Sequence, residues 1–149
     1  MAGYSCTSTR ASLDTTLDVG SIIAAASNPR RFQIFDFTIG SGTNGDTMLV
    51  WTINKRTAAA TAGTAPTITP IDTSDTIAST LVANQAPTTN GGGSGVVKTV
   101  PLYQRATYRW VATPGREIVA PATASNGWSC NTPTSTAIAG TIEWTWWEL

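Results

Sequence analysis

A chain of 149 residues falls in the commonest size range for one domain and can bury roughly 70% of the surface its unfolded form exposes, so stability requires neither metal nor crosslink. Nine Lys and Arg balance nine Asp and Glu, charged residues make up only 12%, and histidine is absent. Nucleic acid is therefore excluded as an expected partner, since phosphate binding needs a clustered excess of Lys and Arg, and Ser-His-Asp, Cys-His and His-metal sites are excluded for want of an imidazole.

Thr is the most frequent residue and Ala the next, with Gly and Pro scattered throughout. Thr with Val, Ile, Trp and Tyr suits pleated strands, and the spaced Gly and Pro cut the chain into short ones, so the expected class is all-β. A neutral surface gives little protection against association, which fits a subunit that works assembled. The opening "MAGYSCTSTRASLD" carries neither the basic leader nor the apolar stretch of a secretory signal, and the apolar run at 22–26 is too short to cross a bilayer. Synthesis in the cytoplasm, no membrane partner and two reduced thiols, Cys6 and Cys130, are expected.

Residues 1–29 read as a polar N-terminal arm with one or two edge strands, ending at Asn28-Pro29, and residues 30–149 as a single sandwich domain. "RRFQIFDFTIG" places Phe35, Phe37 and Ile39 on one parity and Phe32 and Ile34 on the other, a strand with apolar residues on both faces at its start. "GSGTNGDT" then offers an Asn-Gly step, which predicts a hairpin onto "MLVWTINKR", whose Leu49, Trp51 and Ile53 share one face. The same glycine-rich octet lacks the lysine of a phosphate loop and the acidic spacing of a calcium loop.

From 57 to 90 the composition loosens, with one short strand expected around Ile68. Ile77 and Leu81 fit a helix or a strand equally well. "NGGGSGVV" reads as a loop. In "VPLYQRATYRWV", Val100, Leu102, Ala106, Tyr108 and Trp110 share one parity while Tyr103, Arg105, Thr107 and Arg109 share the other, so a single strand with an apolar face and an arginine face is expected. Pro114-Gly115 makes a tight turn before "REIVAP", "ATASNGWSCNTPTSTA" reads as loop, and "IAGTIEWTWWEL" as a terminal strand. About eight short antiparallel strands with Gly/Pro turns match a two-sheet sandwich, most simply a jelly-roll-like one.

Without histidine the remaining catalytic option is a carboxylate pair such as Asp72 with Asp75 or Glu117 with Glu143, and nine acids in any fold bring some together by chance. No enzyme, cofactor or metal site is expected. The six tryptophans are either a sugar-stacking platform or core and interface residues. Trp146 and Trp147 are adjacent and must point to opposite faces of a strand, so at most one belongs to the core of a one-sided sheet. Seven arginines against two lysines favour an interface reading for Arg105 and Arg109, because the guanidinium fork makes paired hydrogen bonds.

The stretch "YQRATYRWVATPGREIVAPATASNG", with "RRFQIFDFTIGS" and "NKRTAAATAGTAPTITPID" before it, resembles a family of small virion proteins encoded in tailed-bacteriophage genomes, over roughly residues 30–127. The resemblance implies a capsid decoration or cement subunit of jelly-roll type, present in many copies on the outer capsid surface, clustered as trimers on local threefold axes and bridging the major capsid protein. Interface candidates on that reading are Tyr103, Arg105, Arg109 and Trp147. The alternative expectation is a phage tail or fibre component binding host-surface glycans.

Overall fold

The computed structural model describes residues 1–42, 46–93, 95–133 and 137–149. Its strands are β1 (Ala2–Arg10), β2 (Asp18–Ala24), β3 (Phe32–Ser41), β4 (Met48–Arg56), β5 (Ile68–Pro70), β6 (Leu81–Gln85), β7 (Val96–Tyr103), β8 (Thr107–Val111), β9 (Ile118–Ala120), β10 (Gly127–Asn131) and β11 (Gly140–Glu148), with no helix among the described residues. A front sheet runs β5-β1-β11-β3-β8, with β9 beside the other half of β3, and a back sheet runs β6-β2-β10-β4-β7.

Every pairing is antiparallel, and the pairs are nested: β1 with β11, β2 with β10, β3 with β8 and β9, β4 with β7. Nested pairs whose successive members alternate between two sheets define a jelly roll. The strands expected at Ile68 and in "REIVAP" are β5 and β9, the single strand expected through 100–111 is divided into β7 and β8, and β6 and β10 complete the eleven among the described residues.

The core lies between the sheets. Trp51, Trp144, Trp146, Tyr4, Phe32 and Phe37 are fully buried there with isoleucines from four strands. Phe37 is the hub on the front sheet, stacked on Trp110 at 5.1 Å and tilted against Trp144 at 6.0 Å, arrangements that suit the ring quadrupoles. At one point the sheets touch directly. A Cβ on Gly20 of β2 would lie 2.3 Å from the Ser8 Cβ of β1, so only glycine permits that approach.

The double parity in "FQIFDFTI" has a physical cause. β11 pairs Thr145 with Asp36 and then Trp146 with Ile34, leaving Phe35 as the extra residue of a β-bulge. A bulge shifts the alternation by one. Phe32 and Ile34 therefore face the core before it, Phe37 and Ile39 face the core after it, and Phe35 and Asp36 both lie on the outside.

Four expectations need correction. Residues 1–29 are not an arm: β1 sits between β5 and β11, and β2 between β6 and β10, because Tyr4, Cys6 and the whole of β2 are needed to close the core. The β3–β4 hairpin does not form, since the two strands belong to different sheets; burying Leu49, Trp51 and Ile53 against the front sheet outweighs the local turn signal, and Asn44-Gly45 itself lies outside the described residues. "GWSCN" is a central strand, β10, with Ser129 and Cys130 completely buried, although it lacks β-branched residues. The expected strand through 100–111 is broken at Gln104, as described below.

The predicted Pro114-Gly115 turn is present: Arg116 N–H donates to Thr113 O at 2.8 Å, and Gly115 has φ +82°, the geometry of a type II turn. Pro101 confines β7 to an edge, because it has no N–H for a second neighbour. Ile68 lies in β5 and Leu81 opens β6, so the open reading at 77–81 resolves as a strand preceded by an irregular segment.

Cys6 and Cys130 are free and buried, one in each sheet. Burial pushes the Cys6 thiol up to about 12 and drives Cys130 well above its ordinary value. The thiolate is the reactive form, so neither residue reacts near neutrality. A thiol reagent at mildly alkaline pH is expected to modify neither cysteine in the folded protein and both after denaturation; rapid stoichiometric labelling without denaturant would contradict this burial.

Candidate docking surface

The outer face of the front sheet is built from the residues that alternate with the core. Across β1, β11, β3 and β8, one row reads Thr7, Glu143, Thr38 and Arg109, and the adjoining row reads Ser5, Thr145, Asp36 and Val111. Threonine suits an exposed pleated surface, which explains where much of this residue type goes. Gly40 interrupts the lower part of the face and leaves a depression of about 270 Å³ bounded by Thr7, Thr38, Thr107, Thr141 and Glu143.

Arg109 is held flat on this face by Asp36. Its Nε donates to Asp36 Oδ1 at 3.2 Å and Oδ2 at 3.0 Å, and Nη2 donates to Oδ2 at 2.5 Å. The Asp36 side chain is 12% exposed and that of Arg109 66%, so the acid is the anchor and the guanidinium the presented group. Hydrogen bonding to Asp36, then its charge, raises the Arg109 pKa further above its usual range, with Glu143 adding to the effect. Because the planar fork is already ordered, a partner that meets it loses less side-chain entropy.

Trp147 stands at the upper end of the same face. Its ring stacks on Phe35 at 4.9 Å with an interplanar angle of 19°. On the β1 side it covers Gly3, where a Cβ would come within 2.3 Å of the ring. Trp146, one residue earlier, is completely buried. Trp147, Phe35, the Arg109–Asp36 pair and Val111, which is 57% exposed, thus form a continuous strip on three rigid strands. Trp, Arg and a second aromatic side by side are the composition that carries most binding energy in protein interfaces.

The four sequence candidates do not share one face. After Tyr103 the chain turns a corner: Gln104 is buried, its N–H donates to Thr47 O and its O accepts from Ser41 Oγ at 2.6 Å, and Ala106 N–H donates to Tyr103 O. The corner moves the chain from the back sheet to the front sheet. Tyr103 therefore ends β7 opposite Met48, 64% exposed, and Arg105 lies in the corner, ion-paired with Asp46 at 3.2 Å. Only Arg109 and Trp147 come together. Phe35, Asp36 and Val111 were missed; the one signal for them is the parity slip in "QIFDF", which marks where a bulge turns an aromatic and an acid outward together.

Other polar groups are structural in placement. Asp18 and Arg56 form a buried ion pair on the outside of the back sheet, beneath the segments 57–67 and 86–93; the Thr61–Thr89 bridge ties these to each other, and Thr64–Gln85 ties the first to β6. Glu117 accepts from Gly115 N–H within its own turn and does not meet Glu143, which lies out on the front face. Asp72 and Asp75 do lie together, with Asp75 N–H donating to Asp72 O at 3.1 Å. Among the described residues no group of three or more His, Cys, Asp or Glu is placed to hold a metal ion.

No family model, curated protein or solved structure matches the chain.

Proposed function

We propose that this protein is a structural subunit of a phage virion, a decoration or cement protein that docks on the outer surface of the capsid and bridges neighbouring copies of the major capsid protein. The observation that carries this reading is the strip of Trp147, Phe35, Arg109 and Val111, preorganised on the front sheet of a jelly roll whose remaining surface is neutral and rich in threonine. A further support is the resemblance of residues 30–127 to small tailed-phage proteins, which supplies the virion, the outer capsid location, the threefold clustering of copies and the absence of any enzymatic role.

The mechanism is linkage. A ligand that binds the assembled lattice and not its separated parts stabilises the lattice by mass action, in proportion to its occupancy and affinity. An interface of standard size buries about 800 Å² on each partner, and the front sheet with its flanking loops can supply an area of that order. Repeated over a shell, a modest free energy for each copy opposes expansion under packaged DNA.

The test is to heat shells prepared with and without the protein and follow DNA release. Shells without it are expected to open at lower temperature, and adding the purified protein back should restore the parent value. Equal robustness of the two preparations would overturn the proposal, as would densitometry showing only a few copies in each particle.

A further inference from the structure

On the side of Trp147 away from Phe35, a hollow of about 480 Å³ opens between the ring, Gly3, Ile71, Thr73, Asp72 and Asp75. That volume lies in the range of small-molecule sites, roughly 300–1,000 Å³. Asp75 also lines a smaller, neighbouring hollow of about 160 Å³, with Arg30, Ile77 and Glu148. Of these groups only Trp147 also belongs to the docking strip, at the end away from Arg109.

Both walls are rigid. On one side, the Trp147 ring is fixed by its stack on Phe35 and its contact over Gly3. On the other, the segment carrying Asp72 and Asp75 is tied to the sandwich at three places. Ile71 N–H donates to Gly3 O at 2.8 Å, and Tyr4 Oη donates to Ile77 O at 2.9 Å. The buried Glu148 carboxylate accepts from Thr80 N–H and Oγ1 and from Ser79 Oγ. Asp72 and Asp75 each use Oδ1 to accept from their own segment, Asp72 from Ser74 and Asp75 from Ile77 N–H, which leaves Oδ2 of each without a hydrogen bond among the described residues.

We propose that this hollow is a saccharide-binding subsite, in which the Trp147 ring stacks on the apolar face of a pyranose while Asp72 and Asp75 accept hydrogen bonds from its hydroxyls. A pyranose has one face of C–H groups and a rim of hydroxyls that both donate and accept, so it needs an aromatic plane beside mixed polar groups. Here the plane is Trp147, the acceptors are the two aspartates, and the donor is Arg30 in the adjoining hollow, whose guanidinium makes no hydrogen bond among the described residues. The competing occupant of an aromatic and acidic hollow is a cationic side chain. Arg30 opposes a cation in the smaller hollow, where the Glu148 carboxylate is already engaged by Ser79 and Thr80, and the larger hollow exceeds what one ammonium or guanidinium head fills.

The experiment screens the purified protein against a panel of neutral and amino-sugar oligosaccharides, then titrates the best binder by calorimetry alongside N-acetyl-arginine amide. At least one oligosaccharide is expected to bind with millimolar or better affinity. Trp147→Ala should abolish that binding, while Asp72→Asn and Asp75→Asn, both surface changes that leave the fold intact, should each weaken it about tenfold, as expected for a hydrogen bond to a charged group. Arg109→Ala should leave it unchanged. No binding by any sugar, binding that survives Trp147→Ala with native circular dichroism, or preferential binding of the arginine amide would each overturn the proposal. Because Asp72 and Asp75 are remote from Arg109, loss of saccharide binding with intact shell binding, or the reverse, separates this inference from the docking one.

Discussion

Replacing Asp18 by alanine is expected to destabilise the fold by about 3–5 kcal/mol, because it leaves a buried guanidinium without its counter-charge. Arg56 Nη2 meets Asp18 Oδ1 at 2.5 Å, while its Nε reaches Asp18 Oδ2 at 3.1 Å and Ser129 Oγ at 2.8 Å, with the acid side chain completely buried and the arginine 10% exposed. Segment 86–93 is held beside the pair by the Asp18 backbone and by Arg10. Asp18 N–H donates to Asn90 Oδ1 at 2.8 Å, and Arg10 Nη1 donates to Asp18 O at 3.1 Å and Pro87 O at 3.0 Å. Exchange of amide hydrogens should therefore accelerate first in 57–67 and 86–93, the parts with the least core of their own.

The reverse variant, Arg56→Met, isolates the acid instead. Burial already pushes the Asp18 carboxyl upward against the pull of Arg56. Once the arginine is gone the folded state holds a proton that the unfolded state releases, so this variant should be most stable below the ordinary carboxylate range and lose stability as pH rises through the elevated folded value. Asp18→Leu with Arg56→Met removes both charges and should return stability close to the parent, since apolar replacement of a whole buried pair is often neutral. Denaturant unfolding of the four proteins decides it: if Asp18→Ala unfolds within about 0.5 kcal/mol of the parent, as surface changes do, the pair has no such role.

Class and strand positions were legible in the sequence wherever side chains alternate simply. Leu49, Trp51 and Ile53 mark β4, and Ile142, Trp144 and Trp146 mark β11, because one face of each packs on the core and one does not. What could not be read were features set by distant neighbours. β10 looks like loop by composition, yet it is central because Gly127 lets β2 approach so closely that a Cβ there would sit 2.1 Å from Ile22 O. The β3–β4 connection carries a hairpin signal but changes sheet, since turn propensity is local and worth less than the burial of Trp51. The corner at Gln104 keeps the alternation of its flanking strands intact, so periodicity alone could not reveal that Tyr103 and Arg109 belong to different sheets. Parity therefore placed Trp147 and Arg109 on the same outer face, whereas Tyr103 and Arg105 lie at the corner and do not share it.

Removal of the Trp147 ring is expected to weaken binding to shells stripped of this protein by about 30-fold, the scale of an interface hot spot, with little change in folding stability. Trp147 lies outside the core, so Trp147→Ala uncovers Gly3 and frees Phe35 without opening a cavity between the sheets. Arg109→Ala should cost about tenfold, and Arg109→Lys should fail to restore it, because an ammonium cannot reproduce the fork that Asp36 aligns. Raising the salt concentration should diminish the Arg109 effect and leave that of Trp147, since only the former is screened. Tyr103→Ala and Arg105→Ala serve as the internal contrast. They sit at the corner between the sheets, away from the strip, and should bind within about twofold of the parent, in the manner of residues outside a hot spot. A binding isotherm in which Trp147→Ala matches the parent, or in which the corner residues carry the loss, would move the docking surface off the front sheet.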